Sequence, residues 1–352
     1  MPEWIWRREE SWGRRLALSP LAGVELLYRA GADLHRAAYA RGWRPRTRLP
    51  CRVVSVGNLS VGGSGKSPLV GWLARELHAR GRIVAILSRG VGGASTAQVS
   101  VVSDGSRLLL SPAEAGDEPV MLAGQTPGVP VLAGRNRVAL GLRAAAAFGV
   151  ELCLLDDGFQ HHRLARDLDL VCIDAASGLG NGHVLPRGPL RESPRGLRRA
   201  DALLWVNRRA AEVPRGRWIP RGVPEFRVRI EPRRLRRLGG GKRELDWLAG
   251  RRVGVLAAIA RPDRLVNGLE DLGARVASLR LRPDHHAYRR SDIQALDPSL
   301  TWLTTAKDAV KIPADWVGET ELWALEEEVE PEDAGALVDF VVRRIDAAGE
   351  SP

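Results

Sequence analysis

Two carboxylates, one ammonium and one hydroxyl suggest the chemistry of this chain. Lys66 and Ser67 close the stretch Ser60-Val61-Gly62-Gly63-Ser64-Gly65-Lys66-Ser67, which follows the β-branched run 53–56. The run reads as a strand and residues 68–80 as a helix. Strand, glycine-rich loop and helix in that order form a phosphate cradle, whose backbone N–H groups and helix N-terminus point at anionic oxygens. Lys66 would reach the β- and γ-phosphates of a nucleotide, and the Ser67 hydroxyl would bind Mg²⁺. Ser60 stands where the usual G-x-x-x-x-G-K-[ST] pattern has glycine. Only four of the 53 basic residues are lysines, namely Lys66, Lys242, Lys307 and Lys311. An arginine-dominated chain thus keeps a compact ammonium where the phosphates would lie. Further along, the apolar run 152–155 delivers Asp156 and Asp157, as a Walker B-like strand does. Adjacent carboxylates beside a phosphate site fit a cation, although a helix cap or turn would use the same residues.

These groups need a frame that brings them together. Strand-like runs at 83–87, 99–102, 130–132, 151–155, 168–173 and 202–206 alternate with helical stretches, including 136–148 and one opened by Gly116-Asp117-Glu118-Pro119. That alternation predicts an α/β fold, a mostly parallel sheet with helices on both faces. Ligands of such sheets sit at the carboxyl ends of the strands, where the P-loop, residues 88–90 and the Asp pair all fall. The expected organisation is an N-terminal segment over 1–45, a P-loop domain over 46–220 and a smaller α/β domain over 221–352. Residues 220–224 read as the linker, and the last helix, 333–345, is placed where it can pack back on the first domain.

The net charge is +11, with 53 basic and 42 acidic residues. It calls for anionic partners such as a nucleotide, an anionic lipid or a phosphorylated substrate. No zinc finger, RNA-binding aromatic signature or basic zipper accompanies the charge, so nucleic acid is disfavoured. The three cysteines fit no metal spacing and suggest a reducing compartment. No secretory signal and no transmembrane-length apolar run is visible. At the N-terminus Trp4, Trp6 and Trp12 alternate with Arg7, Arg8, Arg14 and Arg15, and a helix is expected from Ser19-Pro20 to about Arg41. Tryptophans beside a basic amphipathic helix suit a membrane interface; a helix packed on its own domain would carry the same pattern.

At Asp156-Asp157-Gly158-Phe159-Gln160-His161 the chain resembles the tetraacyldisaccharide 4'-kinase family, the lipid A kinases of Gram-negative bacteria. The resemblance runs in order through VGNLSVGGSGKSP, LSRGVGG, GDEP, AGRNR, DDGFQHHRLARDLDLVCID, LPRGPLRESP, DHHAY and TTAKDAVKI. It implies ATP-dependent, Mg²⁺-using transfer of a phosphoryl group to the 4'-hydroxyl of a tetraacylated glucosamine disaccharide 1-phosphate. It also implies a peripheral enzyme on the cytoplasmic face of the inner membrane, with no obligate protein partner, and an active site between two α/β domains. By motif, Lys66 and Ser67 match the phosphate and Mg²⁺ residues, and Asp156 and Asp157 the acidic pair beside them. Asp117 matches the aspartate that deprotonates the acceptor, His285 its partner, and Glu192 an acidic residue near the metal. Ser60 is familiar at its position in the family. Ala306 departs from the acidic residue usual in Thr-x-Lys-Asp, so Lys307 and Asp308 stay outside the expected catalytic set.

A sugar hydroxyl is a poor nucleophile, so a carboxylate beside it that takes the proton makes chemical sense, with a histidine to orient it. Without the resemblance Asp117 reads more readily as a helix N-cap and His285 as an ordinary surface loop residue than as catalytic groups. The Arg191 cluster suits a substrate phosphate or a solvated loop. His161 and His162 lack a third ligand at metal spacing and are expected to line the site or support the Asp pair. A P-loop GTPase working through a protein partner would share the cradle and the Asp pair. It would have no use for the Trp-rich N-terminus, GDEP or DHH, and the chain has no N-K-x-D element. A kinase of soluble small molecules would not need a membrane segment.

Overall fold

The computed structural model describes residues 18–95, 97–207 and 218–347. Trp4, Trp6, Trp12 and the arginines among them lie outside the described residues. The described chain divides into two units, one of residues 1–88, 136–230 and 330–352, the other of 89–135 and 231–329.

In the first unit α1 (Leu21–Ala40) precedes β1 (Arg52–Gly57), α2 (Lys66–Ala79) and β2 (Val84–Ser88). The second unit then supplies β3 (Ser100–Ser103), α3 (Pro112–Ala115), α4 (Asp117–Gln125) and β4 (Val131–Ala133). The chain returns to the first unit with α5 (Arg137–Phe148), β5 (Leu152–Asp156), β6 (Leu168–Asp174) and β7 (Ala202–Asn207). β8 (Glu225–Arg237) leads into β9 (Lys242–Arg243), β10 (Arg252–Ala257), α6 (Pro262–Asp271), β11 (Arg275–Leu281) and α7 (Arg290–Gln294). β12 (Thr301–Thr305), α8 (Ala306–Ala309), β13 (Glu321–Pro331) and α9 (Ala334–Ala347) complete the chain.

In the first unit β2, β5, β1, β6, β7 and the start of β8 lie side by side in that order, every pair parallel. These strands are near-continuous apolar runs because helices cover both faces. β1 shows this: after Arg52 every residue is buried. The register Val56↔Asp156 places the start of the glycine loop and the end of β5 at one edge. Helix α9 belongs to this unit, as expected. It buries Leu337, Val338, Val341 and Ile345, and its Asp339 and Asp346 pair with Arg80 and Arg82.

The second unit has its own parallel set, β11-β10-β12-β13, and the antiparallel pair β3/β4. Its strands pack around Trp302, Leu256 and Leu322 on one side and Val253, Leu303 and Leu269 on the other. Residues 89–135 group with 231–329, and within this unit Asp117 on α4 lies beside Lys307 and Lys311. Leu203 N donates to Pro224 O beside β7, and the unit boundary falls within β8.

Candidate active site

The first unit builds an anion cradle at the end of β1. Gly65 caps α2 with φ 77°, and a Cβ there would approach Ile230 Cδ1 to 2.5 Å, so the turn admits only glycine. The loop is braced by the 189–191 segment: Val61 N donates to Pro189 O at 2.8 Å and Arg191 N to Leu59 O at 2.7 Å. Ser60, the residue off pattern, forms a bridge with Leu190. Inside the loop Asn58 Nδ2 donates to Ser64 Oγ at 2.8 Å, and Lys66 Nζ lies 3.5 Å from the same hydroxyl.

The carboxylates stand where the strand order puts them. Ser67 Oγ is 3.1 Å from both oxygens of Asp156, and Ser88 Oγ, at the end of β2, is 3.5 Å from Oδ2. Asp157 follows with φ 57°, in the left-handed region that an aspartate tolerates better than most residues. That turn aims its carboxylate at Lys66 Nζ, 3.7 Å away, and at Arg191 NH1, 2.6 Å away. Burial pushes the Asp157 pKa up, but Lys66 and Arg191 outweigh it and hold the group below the usual carboxylate range.

Glu192 is buried but differently engaged. Arg199 grips both its oxygens at 2.9 and 3.0 Å, and Gln160 Nε2 donates to Oε1 at 3.0 Å. Gln160 in turn lies 3.4 Å from Arg191. Glu192 therefore connects to Asp157 through Gln160 and Arg191. Among the described residues no three His, Cys, Asp or Glu side chains gather as a metal cage. Ser67 and Asp156 nevertheless form a hard-oxygen pair beside the cradle. That fits Mg²⁺, which takes one or two protein ligands and completes its shell with phosphate oxygens and water.

The second unit holds Asp117 and His285. Gly116 sits at φ 92°, and a Cβ there would approach Val91 O to 2.5 Å, so the 89–93 loop fixes the entry into α4. Asp117, the first residue of that helix, is 4% exposed. His285 Nδ1 lies 3.1 Å from both Asp117 oxygens, from a backbone at φ 62°. Asp157 and His285 are the two non-glycine residues with positive φ among those described, and such strain collects at functional sites. Lys307 Nζ is 3.8 Å and Lys311 Nζ 3.7 Å from Asp117 Oδ2. Burial pushes the Asp117 pKa up; the His285 hydrogen bond and the two lysines prevail and bring it below its ordinary value. The Asp117 hydrogen bond raises the His285 pKa against the effect of burial. His285, Lys307 and Lys311 follow β11 and β12, so this cluster too lies at carboxyl ends of parallel strands.

A family profile described as LpxK, tetraacyldisaccharide-1-P 4'-kinase, matches residues 15–346. The chain belongs to this family. It is 45% identical over 329 residues to the tetraacyldisaccharide 4'-kinase of Anaeromyxobacter dehalogenans strain 2CP-C, a match covering 88% of this chain and 85% of that protein. It is 42% identical over 324 residues to that of Syntrophus aciditrophicus strain SB, covering 85% and 87%. The crystal structure of LpxK from Aquifex aeolicus in complex with ATP is similar with a TM-score of 0.79 and 33% identity, covering 94% of this chain and 99% of that one.

The two lysines beside Asp117 lie outside the expected set: Ala306 set aside Lys307 with Asp308, and no motif marked Lys311. The scarcity of lysine that singled out Lys66 also marks these two, four residues apart. The His162 ring packs 5.9 Å from that of His35 and 6.2 Å from that of Tyr39, both on α1.

Proposed function

We propose that this protein is an ATP-dependent kinase that phosphorylates the 4'-hydroxyl of tetraacyldisaccharide 1-phosphate, giving the bisphosphorylated lipid A precursor. Family membership supports the reaction class. The observation that carries the acceptor chemistry is the Asp117–His285 pair, a buried carboxylate met on both oxygens by one imidazole nitrogen. Asp117 accepts the proton of the sugar hydroxyl as its oxygen bonds the γ-phosphorus, and the bond from that phosphorus to the β–γ bridging oxygen breaks to release ADP. His285 Nδ1–H donates to Asp117 and fixes the direction of its basic oxygen. Residues 60–67 bind the triphosphate, with the Lys66 ammonium against its β- and γ-oxygens. Ser67 and Asp156 would hold Mg²⁺, which would supply countercharge to the triphosphate; Asp157 positions Lys66 and Arg191.

The membrane surface is part of the same proposal. No described helix is long and apolar enough to cross a membrane. Helix α1 has no buried residue, and Val24, Leu26, Leu27 and Leu34 are 52–75% exposed. It is held by polar contacts, with Glu25 Oε1 2.8 Å from His183 Nδ1 and 3.6 Å separating Glu25 Oε2 from Arg187. An amphipathic helix fastened by its polar residues leaves its apolar ones to a bilayer surface. A lipid substrate on the cytoplasmic face of the inner membrane requires such a placement. The test is incubation of the purified protein with γ-labelled ATP and the disaccharide lipid in detergent micelles. Label in the lipid supports the reading, and ATP consumption without it overturns it.

A further inference from the structure

The Asp117 carboxylate has a second buried carboxylate close behind it, and one lysine stands between them. Asp308 on α8 is fully buried. Its Oδ2 accepts from Ala258 N at 2.9 Å and from Thr305 Oγ1 at 3.0 Å, which fixes the carboxylate in place. Its Oδ1 faces Lys311 Nζ at 2.7 Å. The same ammonium lies 3.7 Å from Asp117 Oδ2 and 5.1 Å from the centre of the Tyr288 ring. Lys311 is thus walled in by two carboxylates and an aromatic face, with its side chain 8% exposed. Lys307 differs. It is more open, and its charge is divided among Asp117, Glu118 and Asp284.

We propose that Lys311, clamped by Asp308, is a positioning residue that keeps the Asp117 carboxylate ionised and turned toward His285. The inference rests on the reading of Asp117 as acceptor base. Its physical ground is charge. Two buried carboxylates around one site do not both stay ionised unless a cation lies between them. Lys307 and His285 supply further positive charge to Asp117 from α8 and from the loop after β11. Glu118 on α4 and Asp284 oppose it. Among the described residues Lys311 is the cation within 4 Å of both Asp117 and Asp308. Removing its charge takes away one of the cations that favour ionised Asp117, and a protonated Asp117 accepts no proton from the acceptor hydroxyl.

The experiment is the pH profile of kcat/KM for Lys311→Met, Lys311→Gln and Lys311→Arg, with thermal melts to establish folding. Neutralising Lys311 moves the acidic limb upward by about one pH unit, and activity recovers toward wild type on the alkaline side. Lys311→Arg returns the limb to the wild-type position. A uniform loss at every pH, with the limb unmoved, overturns the proposal and leaves Lys311 a packing residue. Where the neutral variants do not fold, Asp308→Asn removes the competing carboxylate and leaves Lys311 to Asp117 alone, so the limb is expected to move downward, opposite to the Lys311 variants; an unmoved limb there counts equally against it. The His285 ring titration, followed by NMR without turnover, gives a second readout. It moves upward when Lys311 is neutralised, and an unchanged titration overturns the proposal. Near-normal turnover in Asp117→Ala would instead remove the base reading, whatever the Lys311 variants do.

Discussion

His285 Nδ1 stands equally far, 3.1 Å, from the two oxygens of Asp117, 168 residues earlier in the chain. One N–H shared between both oxygens restrains rotation of the carboxylate, and His285 adopts a left-handed backbone to make the contact. A residue with a side chain adopts that conformation only where its surroundings hold it there. The pair makes a strong demand on kinetics. Asp117→Ala should lower kcat roughly 100- to 10,000-fold, the usual contribution of a positioned base. His285→Gln should lose less, since the base remains. Steady-state phosphorylation of the lipid measures both, and an Asp117→Ala enzyme within a few-fold of wild type would remove the assignment.

The same pair sets a pH dependence of stability. Asp117 titrates below its ordinary 3.8 and His285 above its ordinary 6.5. The Asp117 contribution is present above the unfolded value and is lost as pH falls through the lowered folded one. The His285 contribution is complete below 6.5 and is lost as pH rises through its raised folded value. The destabilisation caused by His285→Gln should therefore be largest near pH 5 to 6 and shrink at alkaline pH. Melts of the two proteins from pH 5 to 9 check this, and a difference that grows toward alkaline pH contradicts it.

His161 and His162 act in the opposite sense. Burial first, then nearby arginines, lowers their pKa values to about 4 and about 3. Both rings stay neutral in the fold while the unfolded chain takes up protons below 6.5. Stability should fall as pH drops from 6.5 toward 4. His162→Gln removes one of these groups, so its melting temperature should decline less steeply over that range. Parallel decline in the two proteins would show that His162 carries none of the slope.

Much of this was legible in the residues because the chemistry is local in sequence. The cradle 60–67 and the pair Asp156-Asp157 sit at strand ends that hydrophobic runs already reveal. What stayed hidden depends on contacts between distant segments. β8 runs on to Arg237 beside β13, where Arg234 and Arg236 both bond Glu326 and Arg233 pairs with Glu328. A stretch of arginines reads as loop until its acidic partners are known. Lys311 was hidden likewise, since its meaning lies in Asp117, nearly 200 residues away.

Ser67 should govern the metal requirement. Its hydroxyl spans both oxygens of Asp156, so Ser67→Ala removes one hard-oxygen donor and leaves the carboxylate without that contact. The Mg²⁺ concentration for half-maximal rate should rise roughly 10- to 100-fold, the scale on which partners of metal ligands act. Lys66→Ala should instead lower kcat by orders of magnitude with little change in that concentration. Magnesium titrations at saturating ATP separate the two, and an unshifted Ser67→Ala titration would argue against Ser67 and Asp156 as the Mg²⁺ pair.

The exposed side chains of α1 yield the last prediction. Leu26 and Leu27 are 65% and 75% exposed, and neither belongs to the core of the first unit. Exchanging both for glutamate should leave the melting temperature nearly unchanged, since exposed substitutions usually shift stability by less than about 0.5 kcal/mol. Binding to anionic vesicles should fall sharply, because apolar burial is lost and negative charge is added. Turnover of a short-chain, detergent-dispersed substrate should persist while turnover of vesicle-embedded substrate drops. Vesicle flotation and the two assays in parallel decide the matter. Undiminished vesicle binding would place the attachment in another part of the chain, and a collapse in melting temperature would mean that α1 packs on protein through these leucines.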